Sequence, residues 1–300
     1  MPNAAFYPPP VRVGERVGVA ALSGPVDPGR LEAGVAALAA MGYQVVAADN
    51  LASRRGYLAG SDDERLSAFH RLAGDPSIRA IFFARGGYGL TRLLERIDWG
   101  LLAAHPRPYF GYSDLTPFLE QVVHHLGMVA FHGAMAAADL ARGLTAAEAA
   151  ALAAALAGEP APPLSLGGWV RSGRAEGPLA GGCLSLLAAT AGTPFAPRLA
   201  GRMLFLEDTN EPLYRIDRML TQLLGAGLLE GVSGVALGRF DPLPPDDPEL
   251  LGLVLDRLAP LGAIPIAWGL PCGHSSPNLT LPVGACLRLE GREPVLAVVG

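Results

Sequence analysis

Three hundred residues carry a formal charge of −5, half of them are apolar and 17% are charged, as in a globular chain with room for about two domains of ~150 residues. That charge offers no electrostatic case for nucleic acid or an anionic membrane surface as a partner, and no apolar run reaches the ~18 residues of a membrane span. All 23 basic residues are arginine, so a Schiff base, a Ser–Lys dyad and a Walker A phosphate loop, each of which needs a lysine, are excluded.

From the N-terminus, short apolar runs alternate with helical patterns. "VGVAALSG" (17–24) reads as a strand and "PGRLEAGVAALAAMG" (28–42) as a helix ended by Gly42. "YQVVAAD" (43–49) is a second strand, and "SDDERLSAFHRLAG" (61–74) opens on a capping box from Ser61 to Glu64. "AIFFARGG" (80–87) is a third, buried strand, followed by a helical pattern in "YGLTRLLERID" (88–98); "YFGYS" (109–113) and "MVAFHG" (128–133) add two more strands. "TAAEAAALAAALAG" (145–158) is an alanine-rich helix behind a capping box from Thr145 to Glu148. "GEPAPPLSLGG" (158–168) is rich in Pro and Gly, the composition of a linker. Beyond it, strands are expected in "RMLFLED" (202–208), "VSGVALGRF" (232–240) and "AIPIAWG" (263–269). Helices are expected in 213–227 and 247–262, with a terminal hairpin turning near Gly291.

The expected fold is therefore α/β. An N-terminal doubly wound, mostly parallel sheet with helices on both faces would occupy 1–157, and a linker 158–175. A smaller mixed α/β domain would fill 176–300. Ligands of such a sheet gather at the carboxyl ends of its strands. The start lacks a basic segment followed by a long apolar core, which points to the cytoplasm. Cys183, Cys272 and Cys286 are odd in number and form no CxxC. With no His/Cys cluster at ligand spacing either, no disulfide framework, metal or cofactor is expected.

Within "PYFGYSDLTPFLEQVV" (108–123), Ser113 stands on a tight junction between an apparent strand and an apparent helix. That is the logic of a nucleophile elbow, an exposed hydroxyl beside unpaired N–H groups at a helix start. The motif departs from G-x-S-x-G, since Leu115 stands where the second glycine would; Ser113 or Asp114 acting as an ordinary helix cap is the alternative. Without lysine, the base for a serine falls to a histidine. His70, His124 and His125 sit in helical patterns and His105 in a loop. His132 ends a strand on the Ser113 rim. His274 stands in a Gly/Pro-rich loop between two strands, where functional residues concentrate. The acid that orients the base should follow a buried strand: Glu207 in "MLFLEDTNEP" does so, with Asp208 its rival.

Five blocks together resemble the LD-carboxypeptidase family: "RGGYGLTRLL" (85–94), "GYSDLT" (111–116), "FHGAM" (131–135), "LFLEDTNEPLYRIDRMLTQL" (204–223) and "GHSSPNLTLPVG" (273–284). Microcin-immunity hydrolases are relatives of that family. The resemblance implies a cytoplasmic, dimeric, metal-free serine peptidase with a Ser–Glu–His triad, falling here on Ser113, Glu207 and His274. Its substrate would be a murein tetrapeptide, from which it trims the terminal D-alanine during cell-wall recycling. One block departs: the family's G-G-N-L-S reads "GGCLS" (181–185), and the Cys183 thiol lacks an amide's two donors and carbonyl acceptor.

In such a mechanism His274 accepts the Ser113 proton and Glu207 holds the imidazole in its tautomer. The N–H of Asp114, with that of Gly86 or Gly87, would stabilise the oxyanion. An exopeptidase must also recognise a free carboxylate, for which Arg85 is the candidate, with Arg215 and Arg218 as alternatives. Two other readings stand beside this one. A microcin-immunity-type hydrolase of aminoacyl nucleotide analogues would want an aromatic stacking residue in the cleft, for which Trp169 is the candidate. A protein of amidotransferase-like fold could also bind a small ligand without catalysis.

Overall fold

The computed structural model describes residues 5–299. Its first sheet is built by β1 (Arg16–Ala20), β2 (Gln44–Ala47), β3 (Ile78–Phe83), β4 (Tyr109–Gly111) and β5 (Ala130–His132), all parallel and ordered 2-1-3-4-5. The connections are α1 (Pro28–Ala40), α2 (Asp62–Gly74), α3 (Trp99–Ala104) and α4 (Thr116–Leu126), followed by α5 (Ala146–Ala157). Both expected capping boxes form: Ser61 and Glu64 at α2, Thr145 and Glu148 at α5 exchange side-chain and backbone hydrogen bonds.

The helical pattern at 88–98 does not give one helix. It breaks into single 3₁₀ turns at Leu90–Arg92 and Leu94–Arg96, and α3 starts only at Trp99, capped by Asp98. The glycines ahead of it are the cause. Gly87 and Gly89 take φ of 118° and 132°, values closed to a helix, and the fully buried Arg65 of α2 donates to the Gly89 carbonyl at 2.9 Å.

The second sheet has eight strands. The stretch 158–175 contributes β6 (Leu164–Ser165) and β7 (Gly168–Arg171), one at each edge. The centre is the parallel set β8 (Ala175–Cys183), β9 (Met203–Thr209), β10 (Gly234–Asp241) and β11 (Ile266–Trp268). Next in the chain, β12 (Leu281–Val283) returns to the first sheet and pairs antiparallel with β5. The hairpin of β13 (Cys286–Glu290) and β14 (Val295–Val298) then completes the second sheet beside β8. Helices α6 (Leu184–Thr190), α7 (Leu213–Gly225) and α8 (Pro248–Arg257) cover it. In α7, Ile216, Leu220 and Leu223 fall on one stripe and are fully buried, the spacing that an amphipathic helix needs. The architecture is mixed α/β with one mostly parallel and one mixed sheet. One apolar cluster runs from the first sheet to Phe205, Ala236 and Ala267 of the second, so the halves share a core. No helix among the described residues is long and apolar enough to cross a membrane.

Candidate active site

Ser113 sits between β4 and α4 with φ of +61°, a left-handed conformation that costs a non-glycine residue about 1–2 kcal/mol. The surroundings hold it there. The Asp114 carboxylate, 1% exposed, accepts from the Ser23 hydroxyl at 2.6 Å and the Leu90 amide at 2.9 Å, tying the elbow to the loops after β1 and β3. Asp114 therefore does not cap α4, and neither does Ser113. Burial raises the Asp114 carboxyl above its usual range, and those two donors oppose the rise.

Gly86 lies directly over the elbow. A Cβ built on it would stand 2.8 Å from the Ser113 Cβ and 2.9 Å from its Oγ, so no side chain fits without displacing the serine. The amides of Asp114, Gly86 and Gly87 donate no hydrogen bond to the chain among the described residues, which leaves them free for an anionic oxygen beside Ser113.

The second sheet and the loop after β11 bring the other components. Glu207 lies within the buried run of β9, which ends one residue later at Asp208; it is fully buried and pairs with His274 Nδ1 at 2.8 Å. Burial raises the Glu207 carboxyl, and His274 opposes it. For His274, burial pulls the imidazole down, but the bond and charge of Glu207, with Asp208 and Asp241 behind it, outweigh that and leave it raised. This arrangement leaves Nε2 to face the cleft as an acceptor when the ring is neutral. The Tyr112 ring packs edge-on against the imidazole, 5.3 Å between centroids.

The rivals go elsewhere. Asp208 accepts from the Ser185 amide at 2.7 Å, at the start of α6. His132, expected on the rim, is instead 1% exposed beneath Tyr112 and against the Phe205 ring, because β5 is covered by both β12 and the shared core. Burial, with His274 alongside, holds its imidazole down to about 3, so it stays neutral.

Ser113 follows β4 of the first sheet and His274 stands in the loop that runs from β11 of the second sheet to β12 of the first; both line one cleft of about 240 Å³ with Gly86, Gly87, Arg30 and Arg85. Two sets of bonds fix them relative to each other. From α4, Thr116 Oγ1 accepts the Cys183 amide at 3.2 Å and Glu120 accepts the Gly181 amide at 2.7 Å. Cys183 is in register with Glu207 on the neighbouring strand. Close approach needs glycine there: a Cβ on Gly182 would lie 2.8 Å from Thr116 Oγ1. From the other side, the Asn278 side-chain oxygen accepts the Gly273 amide at 3.2 Å while the Asn278 backbone N–H donates to Glu148 of α5 at 2.7 Å, so the His274 loop is moored to the first sheet's helices. Sequence reading found Glu148 as a cap, but nothing local could show that its carboxylate serves this second purpose. Arg30, Thr116 and Glu120 were missed because their partners are more than fifty residues away or absent from the chain.

Of the arginine candidates, Arg85 lines the cleft; Arg215 pairs with Glu211 at 3.6 Å and Arg218 lies over Tyr214, neither at the cleft. Trp169, the stacking candidate, sits on the edge strand β7 against the core and does not line the cleft. Cys183 is buried, its sulfur 3.3 Å from Ser185 Oγ and 3.4 Å from Asp208.

Comparison with known proteins bears on the family and the fold. Residues 17–133 match the LD-carboxypeptidase N-terminal domain and 176–289 the LD-carboxypeptidase C-terminal domain. A probable murein peptide carboxypeptidase of Bacillus subtilis is 37% identical, over 98% of this chain and 94% of its own. The microcin C7 self-immunity protein MccF of Escherichia coli is 26% identical, over 94% of this chain and 92% of its own. Among solved structures, the muramoyltetrapeptide carboxypeptidase of Oxalobacter formigenes superposes with a TM-score of 0.85 at 31% identity, covering 95% of this chain and 99% of that one.

Proposed function

The chain belongs to the LD-carboxypeptidase family, and from that premise we propose that it is a serine-type carboxypeptidase releasing the terminal D-alanine of a murein tetrapeptide in the cytoplasm. The observation that carries this reading is Ser113, held at positive φ against Gly86, opening on the same cleft as a histidine paired to a buried glutamate. Neutral His274 takes the Ser113 proton as Oγ attacks the scissile carbonyl, giving a tetrahedral intermediate. The amides of Asp114 and Gly86 or Gly87 hold its oxyanion, each such donor being worth about 10²–10³ in rate. His274 then protonates the leaving D-alanine nitrogen. Water, deprotonated by the same imidazole, releases the acyl group from Ser113.

The chain's own groups also favour exopeptidase action. Arg30 and Arg85 stand at the cleft, and neither takes part in an ion pair among the described residues; Arg30 is left for the substrate's terminal carboxylate, and Arg85, whose Nε and Nη1 bond the Gly86 and Pro25 carbonyls, can add its Nη2. The test is D-alanine release from a tetrapeptide, its C-terminal amide and an aminoacyl sulfamoyl adenosine. The free acid should be cleaved, and Ser113→Ala should abolish release while the protein stays folded. Amidation should impair the wild type severely and add little to the loss already caused by Arg85→Ala. Equal turnover of acid and amide would sink the carboxypeptidase reading. Preference for the nucleotide analogue would move the chain to the microcin-immunity side of its family.

A further inference from the structure

Beyond the catalytic cleft the surface does not close. Arg85 and Gly87 also form one wall of a second, shallower cleft of about 720 Å³, completed by Gly24, Arg54, Tyr57 and Tyr88. The ridge between the two is narrow. The Gly24 amide donates to the Gly86 carbonyl at 3.2 Å, and the Arg85 guanidinium lies across both strands of that contact, 3.6 Å from where a Cβ on Gly24 or Gly87 would stand. Two nitrogens of Arg85 are occupied by the Gly86 and Pro25 carbonyls. Arg30, by contrast, lines the catalytic cleft alone.

The floor of the second cleft is a pair of tyrosines that the fold displays on purpose-shaped turns. Tyr57 is at the tip of a hairpin closed by reciprocal Arg55–Leu58 backbone bonds of 2.9 and 3.1 Å, with Gly56 at φ of +61°. Tyr88 follows Gly87. The rings meet at 5.7 Å, yet 63% of Tyr57 and 49% of Tyr88 remain exposed, an unusual expense of aromatic surface in water. Arg54 beside them is exposed and, like Arg85, outside every ion pair among the described residues. A pair of exposed rings tilted 60° to each other, flanked by a guanidinium outside any ion pair, makes an angled aromatic surface that fits an extended chain segment bearing a carboxylate.

We propose that Arg54, Tyr57 and Tyr88 form a specificity shelf for the acyl side of the substrate, recognising an acidic peptide whose second carboxylate precedes the scissile bond. The inference rests on the carboxypeptidase reading above, because an exopeptidase of this kind releases a single residue. The leaving residue then occupies the catalytic cleft on the Arg30 side, and the rest of the substrate crosses the Arg85 ridge. Tyr57 and Tyr88 hold the backbone and aliphatic portions of that segment, and Arg54 its carboxylate.

The decisive experiment is calorimetry in the Ser113→Ala background, where substrate binds without turnover. The ligands are L-Ala-γ-D-Glu-L-Lys-D-Ala, the same peptide with the free D-Glu carboxylate amidated, and N-acetyl-L-Lys-D-Ala. Arg54→Ala should weaken the tetrapeptide on the order of tenfold, about 1.4 kcal/mol, and should not weaken the amidated or truncated ligands further. Tyr57→Ala with Tyr88→Ala should weaken both tetrapeptides to a similar extent and spare the truncated one. Unchanged affinity of the tetrapeptide in these variants overturns the shelf, as does an equal loss for the truncated ligand. Tighter, tyrosine-dependent binding of an aminoacyl sulfamoyl adenosine overturns it too, by giving the platform to a nucleobase. D-alanine release by the parent protein is scored separately, so failure of the enzymatic reading shows as absent release and failure of the shelf as unaltered Kd.

Discussion

Ser113, at the end of a first-sheet strand, and His274, in the loop between the two sheets, meet at one cleft, and each is held by different means. Around Ser113 the control is steric and conformational: a φ of +61°, a glycine whose missing Cβ makes room, and backbone amides without partners. Around His274 it is electrostatic: a carboxylate with no solvent exposure, further acids behind it, and a loop moored through Asn278. The difference teaches where each half is vulnerable. The serine side should fail when volume is added, the histidine side when charge or tautomer is changed.

Charge should give the largest effect. His274→Ala is expected to lower kcat/KM by several orders of magnitude, and Glu207→Gln by up to about 10⁴, because the amide favours the wrong tautomer. His132→Asn should lose far less once corrected for folded fraction, since that ring is buried and neutral. Wild-type kcat/KM should rise with pH through one ionisation. The raised imidazole of His274 places that limb above the ordinary value of about 6.5, because the base acts only after losing its proton. A limb that survives in His274→Ala but vanishes in the His132 variant would transfer the base.

Volume comes next. Gly86→Ala puts a methyl within 2.8 Å of the Ser113 Cβ, and displacing the nucleophile by about an ångström should lower kcat roughly 10²-fold with an unchanged melting temperature. An active Gly86→Ala enzyme would remove the steric half of the comparison.

Much of this was legible in the sequence, for particular reasons. The five parallel strands and helices α1, α2, α4 and α5 announced themselves by apolar period, with capping boxes at α2 and α5, which are local signals; α3 did not. Ser113 was visible because an elbow is a strand–helix junction, and Glu207 because a charge directly after four apolar residues is conspicuous. The pairing of Glu207 with His274 came from the order of five family blocks, and the 2.8 Å contact now gives it geometry. The roles of Thr116 and Glu120 were hidden, since a buried helix face looks the same whether it packs or also accepts hydrogen bonds from another sheet. Segment 88–98 misled because its leucines keep helical spacing while Gly87 and Gly89 decide the backbone. β8, with five alanines and glycines among its nine residues, lacked the branched side chains that mark a strand.

The contacts that join the halves should give smaller effects. Thr116→Val removes the acceptor for the Cys183 amide and should lower kcat about tenfold with KM unchanged, whereas Thr116→Ser should restore it. Equal behaviour of the two variants would mean the hydroxyl positions nothing. Glu120 offers a stability test. Burial raises its carboxyl to about 7, so the proton it holds when folded contributes stability that is complete below about 4.5 and lost as pH rises through about 7. Glu120→Gln should therefore gain on the wild type above pH ~7, by up to about 3 kcal/mol, and show no such gain near pH ~4. Denaturation at the two pH values reads this directly.

The central claim is that a serine at the end of a first-sheet strand is activated by a histidine that a glutamate of the second sheet holds in place. Intact-mass analysis after reaction with a fluorophosphonate tests it most directly, because only an activated hydroxyl forms the adduct. One adduct per chain is predicted, mapping to Ser113, absent in Ser113→Ala and formed at least about 10²-fold more slowly in His274→Ala. An adduct on another residue, or labelling of Ser113 that proceeds at full rate without His274, would contradict the account.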